Sequence, residues 1–175
     1  MNNLPKRFIV LWPNVQRGGN IKVYIASFFD TRTRLRPYAD QLWHKGHELT
    51  SSWLNETAKP ELMTKEEFWK KLAIKDLAEV KQADMIIVDT IDVTPRGGRE
   101  VEYGFALAHF QTKHAWIVGP VRNVFHELAD KRFDSWEECL NAIPTIANNA
   151  PNPVVTPLLT GVNTLAFTTT NGDPF

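Results

Sequence analysis

The sequence has one cysteine, no net charge and no long apolar run. Cys139 is the only cysteine among 175 residues, so we expect no disulfide within the chain and no zinc site built on several cysteines. The 20 basic and 20 acidic residues balance, which gives no reason to expect general attraction to nucleic acid or to membranes. The apolar run near the N-terminus is too short for a signal peptide or a membrane span. A cytoplasmic enzyme or binding protein is the expected class.

Several common catalytic signatures are also missing. There is no G-x-G-x-x-G and no G-x-x-x-x-G-K-[ST], which argues against a standard dinucleotide site and against a P-loop. None of the five histidines belongs to an H-E-x-x-H pattern, so we expect them to pack or to lie at the surface rather than to bind metal. Without G-x-S-x-G, a serine hydrolase has no support.

Strand-like and helix-like segments alternate along the chain. Apolar runs rich in β-branched and aromatic residues predict strands at 21–27, 47–53, 84–90 and 114–120. The alternation predicts an α/β protein of flavodoxin-like (Rossmann-like) type, with a five-stranded parallel sheet and helices on both faces. We expect one α/β domain over 1–143, with an N-terminal extension at 1–20. Residues 144–175, rich in Pro, Asn and Thr, are expected to form a tail or arm.

Capping patterns predict where three helices begin. Thr31 is expected to cap the first helix. Thr64 and Glu67 form a capping-box pattern at the start of a long helix, and Asp134 and Glu137 form a second one before the last helix at 134–143.

Topology indicates where a ligand site should lie. In an open parallel sheet, ligands bind at the carboxyl ends of strands where the strand order reverses, which in the flavodoxin-like order is between the first and third strands. The loops at 27–32 and 89–100 are therefore expected to form the site, and both contain aromatic, acidic, basic or glycine residues.

The stretch PRGGREVEYGFALA at 95–108 contains the most suggestive residues. Gly97 and Gly98 predict either a tight turn with positive φ or close approach of the backbone to a ligand. Glu100 and Glu102 both fall in the first helical turn, where acids are favoured, and at most one of them points into a given cleft. Gly104 predicts close packing of this helix against the sheet.

Asp76 and Tyr24 are candidates with two interpretations each. Asp76 lies near the apolar side of its helix, so it is either a half-exposed neighbour of the core or a carboxyl aimed into a pocket with a raised pKa. Tyr24 lies mid-strand, where a core aromatic with a satisfied hydroxyl is the simplest reading. Arg32, Arg34 and Arg36 are expected on a solvated helix face, with Arg32 as a candidate phosphate ligand.

Five segments between about Lys22 and Leu140 together resemble the nucleoside 2-deoxyribosyltransferase family: KVYIASFF, LWHKGHELTSSW, DLAEVKQADMIIVDT, RGGREVEYGFALA and RNVFHELADKRFDSWEECL. The resemblance implies a flavodoxin-like fold and cleavage of the N-glycosidic bond of a 2'-deoxynucleoside. Family members form a covalent deoxyribosyl intermediate on a glutamate and pass the sugar to another base. Neither a metal nor an organic cofactor is needed for this chemistry.

The resemblance also assigns roles to individual residues. The E-x-G-x-A match makes Glu102 the nucleophile. Asp76 becomes an acid/base or a ligand of the sugar hydroxyl, and Tyr24 orients the nucleophile. The N-V-F segment nominates Asn123 and Phe125, which would reach a neighbouring subunit's site and which imply a homo-oligomer.

The remaining expected substrate contacts leave the substrate class open. They are Ser27, Phe28, Phe29, Arg32, Asp89, Arg96, Gly97, Gly98 and Arg99. Arg96 stands six residues before the nucleophile, where the transferases carry a base-contacting acid. A related branch hydrolyses deoxynucleoside 5'-monophosphates and recognises the phosphate through serine and arginine. The pair Phe28-Phe29 resembles the transferases more closely.

Three hypotheses follow for the function. The first is a transferase that acts on a nucleoside and a free base, without nucleic-acid polymer or membrane partners. The second is an N-glycosidase for (deoxy)nucleoside 5'-monophosphates. The third is a non-catalytic nucleotide-binding or sensor domain with the same fold.

Overall fold

Five parallel strands form the centre of the molecule. The structure is a computed structural model that describes residues 19–56, 63–93, 97–109 and 114–146. The strands lie side by side in the order β2-β1-β3-β4-β5, and they are β1 (Lys22–Ala26), β2 (Glu48–Leu49), β3 (Met85–Asp89), β4 (His114–Val118) and β5 (Lys131–Phe133). This order is flavodoxin-like and confirms the predicted fold class. The strand order reverses between β1 and β3.

Four α-helices cover the sheet: α1 (Arg32–His44), α2 (Lys65–Gln82), α3 (Gly98–Leu107) and α4 (Trp136–Ala142). The crossovers β1–α1–β2 and β2–α2–β3 run in opposite directions along the sheet. Because such crossovers are right-handed, α1 and α2 lie on opposite faces. Helix α2 packs against α3, and α1 packs against α4. All five residues of β3 are buried, as a central strand covered on both faces requires.

The observed strands at the two edges of the sheet, β2 and β5, differ from the prediction. Strand β2 has only two residues, because a 3-10 helix at Ser52–Asn55 follows and Trp53 Nε1 donates to the Ile25 carbonyl at 2.7 Å. The fifth strand, β5, has no counterpart among the four segments located from the sequence. Its three residues, KRF, are too few and too polar to produce a strand pattern.

Two of the three predicted caps are wrong. Thr64 and Glu67 do form a capping box at α2. Thr31 makes no cap, because the 3-10 helix Phe29–Thr31 precedes α1 and its hydroxyl donates instead to the Phe28 carbonyl. At α4 the cap is Ser135, one residue later than predicted, and its hydroxyl accepts from the Glu138 N–H.

The first residues of the predicted tail pack against the connection between α1 and β2. Ile146 is buried and its N–H donates to the Lys45 carbonyl at 2.8 Å. His47 Nε2 lies 2.8 Å from the Pro144 carbonyl. The tail beyond Ile146 and the N-terminal extension up to residue 18 lie outside the described residues. Among the helices that are described, none is long and apolar enough to cross a membrane.

Candidate active site

A cavity of about 290 Å³ lies beside the residues that follow β1, between α2 and α3. Its wall combines aromatic side chains with three carboxyl groups and one arginine. The lining residues are Ser27, Phe28, Phe29, Trp53, Glu56, Phe68, Trp69, Leu72, Asp76, Gly98, Arg99 and Glu102. This volume is near the lower end of the range for small-molecule sites, and the position agrees with the topological expectation.

Three polar side chains from three elements meet at the inner end of this cavity. Glu102 comes from α3 and Asp76 from α2, while Tyr24 lies on buried β1 beneath them. Glu102 Oε2, Asp76 Oδ1 and the Tyr24 hydroxyl are all buried; the Tyr24 hydroxyl interacts with the Glu102 carboxyl, and apart from that contact none of the three atoms has a hydrogen-bond partner within the described part of the chain. Buried polar atoms are almost always paired in folded proteins, so three incompletely paired ones together indicate a site prepared for a ligand.

The carboxyl groups of this cluster hold their protons unusually tightly. Burial, and then the charge of Asp76, raise the pKa of Glu102 to about 8. Burial raises the pKa of Asp76 to about 6, while the Lys75 ammonium opposes the rise. The pKa of Tyr24 is raised by burial and by the charges of Glu102 and Asp76, so its hydroxyl stays a donor. Near neutral pH the two carboxyls therefore share one proton.

Glu100 is surrounded by hydrogen-bond donors, although its place in the first helical turn alone would favour an acid there. Its Oε1 accepts from Arg99 Nε at 3.0 Å and Nη2 at 2.9 Å, and its Oε2 accepts from Asn123 Nδ2 at 2.8 Å. The ring of buried His126 adds a fourth bond, from Nε2 at 2.9 Å. Partial burial alone would raise the pKa of Glu100, but these donors outweigh it and the pKa is lowered. Glu100 is thus a saturated carboxylate.

Arg99 lines the cavity, but its hydrogen bonds are directed into the protein. Besides the two bonds to Glu100, Nη1 donates to the Asp89 carbonyl at 2.9 Å and to the Asp92 carbonyl at 3.3 Å. A guanidinium has five N–H groups, so little of its donor capacity is left for a ligand. The side chain is buried and its charge is paired with Glu100.

Asp89, a predicted substrate contact, is not among the residues that line the cavity. Its buried carboxylate accepts from Arg34 at 3.0 and 3.1 Å and from Trp136 Nε1 at 2.6 Å. The expectation of a solvated arginine face is therefore wrong at Arg34, whereas Arg36 is exposed as expected and also donates to the Leu54 carbonyl at 2.8 Å. These bonds tie α1 and α4 to the end of β3.

The other predicted contacts after β1 are divided between the cavity and its mouth. Ser27, Phe28 and Phe29 line the cavity. The guanidinium of Arg32 stacks over the Phe29 ring at 4.1 Å and is not in the lining. Arg96 lies outside the described residues.

Of the two interpretations of Gly97 and Gly98, the turn with positive φ is wrong, and close approach of the backbone to a ligand stays a prediction. Gly97 has φ of −85°, and among the described glycines only Gly46 and Gly119 have positive φ. Gly98 lines the cavity with nothing within 4 Å of an added Cβ. The close packing predicted at Gly104 is wrong, because a Cβ there also meets nothing within 4 Å. That side of α3 faces outwards.

Asn123 and Phe125 also lie away from the cavity. The Asn123 side chain is used within its own chain, where Nδ2 binds Glu100 and Oδ1 accepts from the Phe125 N–H at 2.9 Å. Phe125 is 62% exposed.

Several lining residues were not predicted as site residues: Trp53, Glu56, Phe68, Trp69 and Leu72. A signal for two of them was present, because Phe68, Leu72 and Asp76 follow each other at intervals of four and share one face of α2. Glu56, which is paired with Lys75, carried no sequence signal.

Comparison with known proteins shows a shared fold at low sequence identity. No protein-family model and no curated protein matches the sequence. The 2-deoxyribosyltransferase of Bacillus psychrosaccharolyticus is 20% identical, with a TM-score of 0.56 over 70% of this chain and 92% of that chain. A conserved protein from Enterococcus faecalis V583 is 15% identical, with a TM-score of 0.53 over 73% and 98%. The CMP N-glycosidase of Clostridium botulinum is 18% identical, with a TM-score of 0.44 over 69% and 95%. The chain thus has the fold that the sequence resemblance implied.

Proposed function

We propose that this protein is an enzyme that cleaves the N-glycosidic bond of a 2'-deoxynucleoside and transfers the sugar to another base. The observation that carries the proposal is the cluster of Tyr24, Asp76 and Glu102 at the inner end of an aromatic cavity. Two carboxyls that share one proton supply a nucleophile and an acid together, as glycosyl transfer requires. The fold shared with a 2-deoxyribosyltransferase is consistent with this chemistry.

At neutral pH the shared proton lies mainly on Glu102, which has the higher pKa. In the first step this proton passes to Asp76, and the ionised Glu102 attacks the anomeric carbon of the sugar. A bond forms between a carboxylate oxygen and C1' while the bond from C1' to the base nitrogen breaks, and the base leaves with the electron pair. Asp76 donates its proton to the departing base. The Tyr24 hydroxyl, which remains protonated, stabilises the carboxylate of Glu102 before the attack.

In the second step, a nitrogen of the acceptor base attacks C1' and the bond to Glu102 breaks. Asp76 now accepts the proton that the incoming nitrogen releases, and both carboxyls return to their starting state. The aromatic walls favour flat rings in both steps, because bases stack on Phe and Trp side chains. Water in place of the acceptor base would give hydrolysis.

The charges of the cavity favour a nucleoside over a 5'-monophosphate. The described lining contains Glu56, Asp76 and Glu102, whereas its one cation, Arg99, is already paired with Glu100. Glu56 is paired with Lys75, and Asp76 and Glu102 together carry one negative charge near neutral pH, so a phosphate here would meet a negative charge without an unpaired cation in the described lining. A purely binding role is disfavoured for another reason, because buried unpaired carboxyls cost stability and need a compensating function.

The proposal includes a homo-oligomer whose contact surface contains the 3-10 helix Val124–Leu128. Val124, Phe125 and Leu128 are 74%, 62% and 53% exposed, and exposed apolar clusters mark interaction surfaces. Phe125 does not line the cavity of its own chain and is available to a neighbour's site. Light scattering on wild type and on Leu128→Asp tests this: we expect the variant to dissociate. A wild-type monomer would contradict it.

Base exchange is the decisive assay. The protein is incubated with a 2'-deoxynucleoside and a different free base, and the products are separated by chromatography. We expect a new deoxynucleoside, with turnover of the nucleoside well above that of its 5'-monophosphate. Release of free base without exchange would identify a hydrolase. If a panel of deoxynucleosides and deoxynucleotides gives neither product, the proposed function is wrong.

A further inference from the structure

Two residues of α3 that flank Glu102 are bound to the same piece of chain, the 122–126 segment. Glu100 accepts from Asn123 at 2.8 Å and from His126 at 2.9 Å. Tyr103 donates its hydroxyl proton to the Phe125 carbonyl at 2.9 Å, and its ring packs edge-on against His126. The 122–126 segment thus binds α3 both before and after Glu102 in the sequence.

The 122–126 segment is itself attached to the end of β3. Arg122 donates from Nε to the Thr90 carbonyl at 3.1 Å and from Nη2 to the Ile91 carbonyl at 2.9 Å. Its backbone N–H donates to His126 Nδ1 at 3.1 Å. Nδ1 is therefore an acceptor, the proton of the neutral ring lies on Nε2, and the ring donates to Glu100. The sheet, the segment and the helix form one hydrogen-bonded unit.

These bonds affect where the Glu102 side chain points, because successive residues of a helix are rotated by about 100° about its axis. Glu100 and Tyr103, three apart, lie on one side of α3, and Glu102 points to a different side, towards the cavity. The inner face of α3 also packs on the core through buried Tyr103 and Ala106. The first turn has no side-chain cap, and the outer side is open at Gly104, so the bonds of Glu100 supply much of what holds this end of the helix. A small rotation of α3 would swing Glu102 away from Tyr24 and Asp76.

We propose that Glu100, Asn123 and His126 are positioning residues, which fix the rotation of α3 and thereby hold Glu102 against Tyr24 and Asp76. The kinetic part of this inference rests on the proposed function. It gives Asn123 a role inside its own subunit, in place of the contact with a neighbour that the sequence resemblance implied. It also explains why a surface segment bearing exposed apolar residues is tied so closely to the nucleophile.

The test compares three variants with a matched control. Glu100→Gln keeps one acceptor oxygen, Glu100→Ala removes both, and Asn123→Ala removes one donor. We expect kcat for base exchange to fall about 10-fold in Glu100→Gln and Asn123→Ala and about 50-fold in Glu100→Ala, with KM changed less than about 2-fold, because a misplaced nucleophile slows chemistry more than binding. Glu48→Gln makes the same chemical change in an exposed residue that pairs with Lys22 at the edge of the sheet, and should leave kcat unchanged.

A second measurement does not depend on turnover. The ionisation of Glu102 is followed by NMR of carboxyl-labelled protein, and in the Glu100 variants its pKa should move from about 8 towards the ordinary value as the carboxyl leaves its buried place. Tyr103→Phe, which keeps the ring and loses one hydrogen bond, replaces any Glu100 variant that fails to fold. An unchanged pKa of Glu102 in folded variants, or a loss that falls on KM alone, overturns the inference. If wild-type protein shows no turnover, the proposed function is wrong. The NMR titration of Glu102 would still test whether Glu100, Asn123 and His126 position it.

Discussion

Two carboxylates on one helix, Glu100 and Glu102, have opposite surroundings. Glu100 accepts four hydrogen bonds from three side chains, and its pKa is lowered. Glu102 has a buried oxygen without a full set of donors in the described structure, an acidic neighbour in Asp76, and a raised pKa. The first cluster joins α3 to the 122–126 segment, whereas the second is the one that we propose binds the substrate.

The difference shows how structural and functional charges can be separated within a single turn. A buried carboxylate costs free energy unless donors surround it, and the chain meets this requirement at Glu100. At Glu102 it does not, because Oε2 lacks a full set of donors. An unmet requirement next to a cavity is evidence for chemistry, since a purely structural site would have been satisfied.

The sharpest way to break the comparison is to remove each charge in turn. We expect Glu102→Gln to lower kcat/KM for base exchange by at least about 10⁴-fold, because the nucleophile of the covalent step is lost. Glu100→Gln, the same change two residues away, should cost only about 10-fold through positioning. Product chromatography measures both. Equal losses in the two variants would show that the clusters do not have separate roles.

Asp76→Asn should have the next largest effect, about 10²- to 10³-fold on kcat/KM, because general acid catalysis to the departing base is lost. Its pH profile is more informative than its rate. Wild type should be most active between about pH 6 and 8, where Asp76 and Glu102 share one proton. In Asp76→Asn the alkaline limb should vanish because the proton donor is gone, and one acid limb should remain, set by the pKa of Glu102, which falls below about 8 because the charge of Asp76 is gone while the burial remains. If Asp76→Asn keeps the pH profile of wild type, a group other than Asp76 donates the proton to the departing base.

Tyr24→Phe should lower kcat by about 10-fold, the effect of losing one donor to a buried carboxylate. The ring stays in the core, so the unfolding temperature should change little. Kinetics and thermal unfolding of the same sample separate the two effects. A change in stability without a change in kcat would make Tyr24 a core residue only.

The fold was predictable from the sequence because its signals are local. The apolar runs of β1, β3 and β4 and the periodic stripes of α1 and α2 are each visible within a few residues. Two-residue β2 and polar β5 carry no such pattern and exist because they pair with a neighbouring strand. Strand order then located the cleft correctly, since it follows from connection rules rather than from side chains.

The partners of individual site residues were not predictable. Nothing near Glu100 in sequence indicates that Asn123 and His126, more than twenty residues away, would surround it. For the same reason Asp89 and Arg99 were interpreted as ligand contacts. In the structure Asp89 accepts hydrogen bonds from Arg34 and Trp136, and Arg99 is paired with Glu100. Spacing locates a side chain on an element, but only the assembled loops determine whether its hydrogen-bonding capacity is still free.

The last way to sharpen the comparison uses stability, where the two carboxylates should act with opposite sign. The pKa of Glu102 is higher in the folded protein than in the unfolded chain, so folding loses stability as pH rises from about 4.5 to about 8. Glu102→Gln should therefore be more stable than wild type at pH 8, on the order of a few kcal/mol, and equal to it at pH 4. The pKa of Glu100 is lowered by folding, so its contribution is present at neutral pH and is lost as pH falls. Glu100→Gln should accordingly be less stable than wild type at pH 8, with the deficit shrinking in acid. Urea unfolding at the two pH values measures both differences, and the same sign in both variants would mean that Glu102 is as well satisfied as Glu100.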